Sequence, residues 1–161
     1  MLTQTILREK LFYDDGKLYR RGTSGKIATK HIGSNANTKK RGTVSINGKS
    51  HTIYRVIFIY HHGYIPNHVD HIDGDFNNNR IENLRDCTNS ENQRNKPAQP
   101  NTTSQYKGVC WNKLSNKWTS TANFEGSRKH LGRFKTELEA ASAYDKYMKQ
   151  FNSPFVYLNL E

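Results

Sequence analysis

The segment Val69-Asp70-His71-Ile72-Asp73-Gly74-Asp75 constrains this chain more than any other. Val69-Asp70-His71-Ile72 is a short strand candidate flanked by apolar residues. Asp73-Gly74-Asp75 and Asn77-Asn78-Asn79 are rich in residues that accept turns and left-handed backbone angles. A return strand follows through Leu84 and Arg85. Thr88-Asn89-Ser90-Glu91 then reads as a capping box, so a short helix is expected from about Asn89 until Pro97 ends it. The pattern predicts a strand-strand-helix unit in which Asp70 and His71, on the first strand, face Asn92 in the first turn of the helix.

These residue types carry chemistry. Asp70 can supply a hard oxygen to a divalent cation, His71 can take a proton from water near neutral pH, and Asn92 can supply a neutral oxygen to the same cation. Asn83, between them, is suited to holding the loop in shape. His71 and Asn83 are 12 positions apart, and Asn83 and Asn92 are 9 apart. With the wording Val-Asp-His-Ile-Asp-Gly-Asp and Asn-Arg-Ile-Glu-Asn-Leu-Arg, this spacing resembles the HNH nuclease family in its His-Asn-Asn variant, in the form found in phage and intron-encoded homing endonucleases. The resemblance implies a ββα-metal module with His71 and Asn83 as the catalytic set. It also implies one Mg²⁺ or Mn²⁺ held by Asp70 and Asn92. Arg80 and Arg85 are candidates for backbone phosphate contacts, with an ion pair to Glu82 or Asp86 as the plainer alternative. His68 suits a structural or phosphate-facing role better than metal ligation, and Asp73 and Asp75 suit the turn.

The charge distribution agrees with a polyanionic partner. The net charge is +11, distributed as +9 over residues 1–60, −2 over 61–96 and +4 over 97–161. A slightly acidic centre between basic flanks suits a cation site framed by surfaces that hold double-stranded DNA. Only 34% of residues are hydrophobic, which favours small modules over one large core. Cys87 and Cys110 form no Cys-x-x-Cys pair, which argues against a zinc knuckle and for two small buried or half-buried thiols. No apolar run approaches a membrane span and Met1-Leu2-Thr3-Gln4 opens no signal peptide, so an intracellular protein is expected, in the bacterial host cytoplasm if phage-encoded. A monomer or weak dimer is expected.

Residues 1–60 read as a β-rich element. Leu11-Phe12-Tyr13 and Lys17-Leu18-Tyr19-Arg20 flank an Asp14-Asp15-Gly16 turn. Thr43-Val44-Ser45-Ile46 and Lys49-Ser50-His51-Thr52 flank Asn47-Gly48, whose residues tolerate the positive φ angles of a type I′ turn. Residues 53–62 predict a helix that buries Val56, Ile57 and Tyr60 and ends near Gly63, ahead of a Gly-x-Ile-Pro run like that of related phage nucleases. Residues 35–40 read as a loop, and Lys39-Lys40-Arg41 as a solvated charge run with phosphate contact as second choice.

Residues 97–104 form a polar, proline-containing linker between a first domain, 1–96, and a second, 105–161. The second reads as strands at 106–111, 117–124 and 128–134, then a helix capped by Thr136 and Glu139 with Ala140, Tyr144, Tyr147, Met148 and Phe151 on one face. Trp111 and Trp118 read as packing aromatics. The sequences Tyr-Lys-Gly-Val, Lys-Trp, His-Leu-Gly-Arg-Phe and Glu-Ala-Ala-Ser-Ala-Tyr-Asp resemble the ethylene-response-factor (apetala-type) DNA-binding domain over residues ~104–151. That resemblance implies a three-stranded antiparallel sheet that reads the major groove, with one helix packed behind it. Its candidate DNA contacts are Lys107, Cys110, Asn112, Thr121, Asn123, Arg128 and His130. Arginines of the plant pattern are replaced at Cys110, Asn112 and Asn123, so its base preference does not transfer.

The expected fold class is thus α+β, and the expected function is a homing-type DNA endonuclease. A DNA-binding regulator or accessory protein with an inactive nuclease module is the rival. On this reading, removal of residues 97–161 lowers affinity and site preference more than the chemical step.

Overall fold

In a computed structural model of the chain, residues 2–33, 42–100 and 102–161 are described. Lys39-Lys40-Arg41 and the loop expected at 35–40 lie outside them. The chain divides into two compact units, Met1–Asn89 and Ser90–Glu161, a division earlier than the linker expected at 97–104.

The first unit opens with a helix the sequence pattern did not announce, α1 (Gln4–Lys10), capped by the Thr3 hydroxyl, which accepts from the Ile6 N–H. An antiparallel sheet follows in the order β1 (Leu11–Asp14), β2 (Lys17–Arg21), β3 (Ile27–His31). Asp15 and Gly16, at φ +41° and +81°, make the expected tight turn between β1 and β2. Asn47 and Gly48, at +51° and +75°, do the same between β4 (Thr43–Ile46) and β5 (Lys49–Thr52). The next helix, α2 (Ile53–His62), ends at Gly63 in the left-handed conformation, and Gln4 Nε2 donates to the Tyr60 and His61 carbonyls of its last turn, 3.0 Å each.

Ile53, Val56, Ile57, Phe58 and Ile59 of α2 are all buried, with Leu7, Leu11, Leu18, Val44 and Ile46. Tyr60, expected in the core, is only partly buried at its margin. Two antiparallel strands, β6 (His68–His71) and β7 (Leu84–Cys87), complete the unit and put Val69 and Leu84 into the same core. A single 3₁₀ turn, Ile81–Asn83, leads into β7.

The short helix α3 (Asn89–Arg94) belongs to the second unit from Ser90 onward, and a three-stranded antiparallel sheet follows, β8 (Val109–Asn112), β9 (Lys117–Phe124) and β10 (Ser127–Phe134). The first strand is shorter than expected because residues 106–108 form a turn. The helix α4 (Glu137–Lys149) has its reciprocal capping box, with Glu139 N–H donating to Thr136 Oγ1 at 3.2 Å and Thr136 N–H donating to Glu139 Oε2 at 3.1 Å. Its buried face, Ala140, Ala141, Tyr144 and Met148, packs on Val109 and Ala122 with Trp118, Phe124 and Phe134 around them. Phe151, just past the helix, stacks on Phe124 at 3.7 Å between ring centroids.

Gly108 is the tightest point of this packing. Its φ is +76°, its carbonyl accepts from Thr121 N–H at 2.8 Å, and a Cβ there would sit inside the contact distance of Thr121 O and the Tyr144 ring. Gly108→Ala is therefore expected to destabilise the second unit by about 3 kcal/mol, combining overpacking with left-handed strain. Urea unfolding followed by tryptophan fluorescence checks this, since both tryptophans lie on the sheet of that unit.

Candidate active site

In the β6–β7 ladder, Asp70 is opposite Arg85 and His71 opposite Leu84. Asp70 and His71 are 5% and 7% exposed, burial unusual for ionisable side chains unless they are engaged. Successive strand residues point to opposite faces, so the two side chains part company. On one face, Arg85 reaches Asp70 across the ladder: Nε and Nη2 donate to Oδ2 at 2.9 and 2.8 Å. Arg85 was a candidate phosphate contact; in the structure it compensates the buried carboxylate, because the ladder register sets the two directly opposite.

On the other face, His71 Nε2 is 3.0 Å from Asn79 Oδ1, and the Tyr54 ring meets the imidazole edgewise at 5.3 Å. Asn79 Nδ2 donates to Asn77 O at 3.4 Å, which orients the amide so that its oxygen faces the imidazole. The hydrogen then belongs on Nε2 and the basic lone pair on Nδ1. Asn79 was read only as part of an asparagine run; nothing in its sequence position distinguishes it from Asn77 or Asn78.

The intervening loop is built from carboxylates and amides. Asn83, 9% exposed, accepts from Asp73 N–H at 3.0 Å through Oδ1, while its Nδ2 donates to Asp73 Oδ1 and Asn78 O at 2.9 and 2.8 Å. Burial pulls the Asp73 carboxyl upward, but the bonds it accepts from Asn78, Asn83 and the Asp75 N–H outweigh that and leave it below the ordinary aspartate range. Asp75 Oδ1 accepts from Asn77 N–H at 2.9 Å. Asp73 and Asp75 are thus turn formers, and Asn83 clamps the loop. Arg80, the other phosphate candidate of this segment, forms a two-pronged ion pair with Asp15, Nε to Oδ1 at 2.7 Å and Nη2 to Oδ2 at 2.9 Å, instead of with Glu82 or Asp86. Tyr13 OH accepts from Ile81 N–H, so the β1–β2 hairpin braces this loop. His68 is exposed at the start of β6.

Asn83→Ala should cost about 1–3 kcal/mol, since it removes a buried side chain that bonds Asp73 N–H, Asp73 Oδ1 and Asn78 O. Urea titration of the purified variant checks this.

Residues 53–94, from the first residue of α2 to the last of α3, match the HNH endonuclease family. Protein 3.8 of Escherichia phage T7 is 32% identical to this chain over 95 residues, covering 58% of the chain and 78% of the phage protein. The chain belongs to the family of phage T7 Protein 3.8. Within it, residues 53–94 are an HNH endonuclease domain, and the segment that carries Asp70, His71, Asn83 and Asn92 lies inside that domain. No solved structure matches. No helix among the described residues is long and apolar enough to cross a membrane.

Asn92 belongs to α3 and is half-buried. No group of three or more His, Cys, Asp and Glu able to hold a metal occurs among the described residues. A Mg²⁺-like ion is commonly bound through one or two carboxylates plus substrate phosphates; Asp70 is a buried carboxylate of the first unit, and Asn92 is an amide of the second.

The C-terminal candidates separate on inspection. Register places Cys110, Asn112, Thr121, Asn123, Arg128 and His130 on the sheet face away from α4, with Lys117, Thr119 and Arg133, which had not been singled out. Cys110 is exposed rather than buried or half-buried; Cys87 is buried. Two candidates are otherwise engaged. Asn112 Oδ1 accepts from the Leu114 and Ser115 N–H groups, closing the β8–β9 turn. Lys107 Nζ donates to the carbonyls of Gln93, Arg94 and Lys96 at 2.9, 2.7 and 2.6 Å, spending all three hydrogens on the end of α3 and the residues just past it. Burial, with Lys96 and Arg94 nearby, pushes its pKa down to about 8.

Proposed function

We propose that this chain is a site-directed DNA endonuclease of the homing type that hydrolyses or nicks phosphodiester bonds with one divalent cation. The supporting observation is a buried histidine inside an HNH endonuclease domain, its Nε2 held by Asn79 and its neighbour on β6 an ionisable carboxylate. His71 Nδ1 takes the proton of a water as the water oxygen attacks phosphorus in line, one P–O bond forming as the opposite one breaks. Asn79 accepts from Nε2–H in the tautomer that leaves Nδ1 as the proton acceptor, and Asn83 holds the loop that carries Asn79. Asp70 and Asn92 would hold Mg²⁺ or Mn²⁺. When bound, the cation polarises the phosphate and neutralises charge on the leaving oxygen.

DNA would be held and read by the polar face of the β8–β10 sheet, with Thr121, Asn123 and His130 toward the bases and Arg128, Lys117 and Arg133 as cationic contacts. Incubating the full chain with phage or host genomic DNA and Mg²⁺, then mapping the ends, tests the reading. Ends recurring at one site support it. DNA that is bound but never cut, with either Mg²⁺ or Mn²⁺, would instead support a DNA-binding regulator, the role for which the Asp70–Arg85 ion pair is the favouring observation.

The organisation of α3 changes the expected effect of truncation. Its last carbonyls are bonded by Lys107, Arg94 O also accepts from Tyr157 N–H at 3.2 Å, and the Arg94 guanidinium lies 4.7 Å from the centre of the Phe124 ring. A helix of six residues does not persist without such partners. Deleting 97–161 should therefore lower the single-turnover cleavage rate by about 100-fold as well as weaken binding, with chemistry no longer spared. Rates measured at saturating protein separate the two effects.

A further inference from the structure

The second unit contains a cavity of about 460 Å³ between α3 and the β9–β10 edge, lined among others by Ser90, Gln93, Arg94, Lys107, Asn123 and Arg128. Its electrostatics are one-sided. Lys107 is half-buried, and the charged groups that act on it are Lys96 and Arg94, both of its own sign. Glu125 also lines the cavity, but no ion pair joins it to Arg94, Lys107 or Arg128 among the described residues. Arg94 Nε is buried and has no hydrogen-bond acceptor among the described residues, and Nη1 has only a 3.4 Å contact to Ser90 Oγ.

A buried donor left without an acceptor and a cluster of like charges partly withdrawn from water are both unfavourable, and one bound anion relieves both. The donors available to it are on Arg94 and Arg128, because Lys107 has used its own hydrogens on α3 and contributes charge from behind. Thr121, Asn123 and Arg128 belong both to the cavity wall and to the outward sheet face. A strand lying on that face would therefore run past residues of the cavity wall.

We propose that this cavity seats one phosphate diester of bound DNA, with Arg94 and Arg128 as donors and the half-buried Lys107 as a countercharge. The proposal rests on the reading that the chain binds DNA. A free phosphate anion offers the same chemistry, and the test separates the two sources.

The experiment uses the full chain carrying His71→Ala, so that DNA stays uncut, and measures affinity for the mapped target duplex across a salt series. Arg94→Met keeps an apolar stem over Phe124, and Arg128→Gln changes an exposed position, so at least one variant keeps the fold, as checked by thermal melting. Each should flatten the log–log salt slope by about 0.9, as expected when the protein neutralises one phosphate fewer. In the unsubstituted His71→Ala protein, the Lys107 ammonium followed by NMR should titrate at higher pH when the duplex is bound, and stay near 8 in millimolar inorganic phosphate alone. Unchanged salt slopes in folded variants, with no movement of Lys107 on the duplex, would overturn the proposal while leaving DNA binding intact. A full shift with inorganic phosphate alone would reassign the cavity to a free anion and also overturn it. Failure of the His71→Ala protein to bind any DNA would instead bring down the functional reading on which the proposal rests.

Discussion

Replacing His71 by alanine is expected to reduce single-turnover DNA cleavage by about 10³-fold, within the 10²–10⁴ contributed by a positioned general base. Affinity for the same duplex should change by less than about twofold, since a buried imidazole contributes little to a phosphate-dominated interface. The geometry adds a finer expectation. Asn79 holds the Nε2 hydrogen at 3.0 Å, so Asn79→Ala frees the tautomer without removing the base, and its loss should be smaller, about tenfold. Cleavage at saturating protein, measured beside a gel-shift titration, checks both. A wild-type rate in the His71 variant removes this residue from the mechanism, and equal losses in the two variants would mean that Asn79 does more than orient the ring.

Arg85→Met should destabilise the Met1–Asn89 unit by about 3–5 kcal/mol, because it withdraws the cation that compensates a carboxylate only 5% exposed. The double variant Asp70→Asn, Arg85→Met should recover part of that loss, since no buried charge is then left to compensate. A second consequence has the opposite sign. The cation proposed at Asp70 competes with the guanidinium for the same carboxylate, so Mg²⁺ or Mn²⁺ should raise the melting temperature of Arg85→Met more than that of the wild type. The double variant should show no such protection. Urea and thermal unfolding with and without metal read all three. Equal metal protection in every variant would remove Asp70 from the ligand set.

Local features were legible in the sequence where neighbouring residues alone decide the conformation. Asp15-Gly16 and Asn47-Gly48 tolerate positive φ, Gly63 terminates α2, and Thr136 with Glu139 closes a capping box inside one helical turn. Asn83 was legible too, as the residue that holds the loop. Other elements had no such signal. The strand β3 is exposed along nearly its whole length and lacks the alternation that marks a half-buried strand, and α1 is only seven residues long. Phe58 and Ile59 are buried along with Val56 and Ile57 because α2 is covered on more than one side.

The sequence by itself determined the local chemistry: which residues turn the chain, which cap its helices, and which segment carries the HNH pattern. Tertiary structure alone decided how the charged and amide groups are spent. Arg85 meets Asp70 because of strand register across a 15-residue separation, and Asn79 reaches His71 because the loop folds back 8 residues later. Lys107 caps α3 from 11 to 14 residues downstream, while Asp145 accepts the Asn159 and Leu160 N–H groups and fastens the chain end to α4. The physical reason is range: backbone angles and caps depend on neighbours within a turn, whereas long polar side chains take whichever partner packing brings near and burial makes costly to leave unmet.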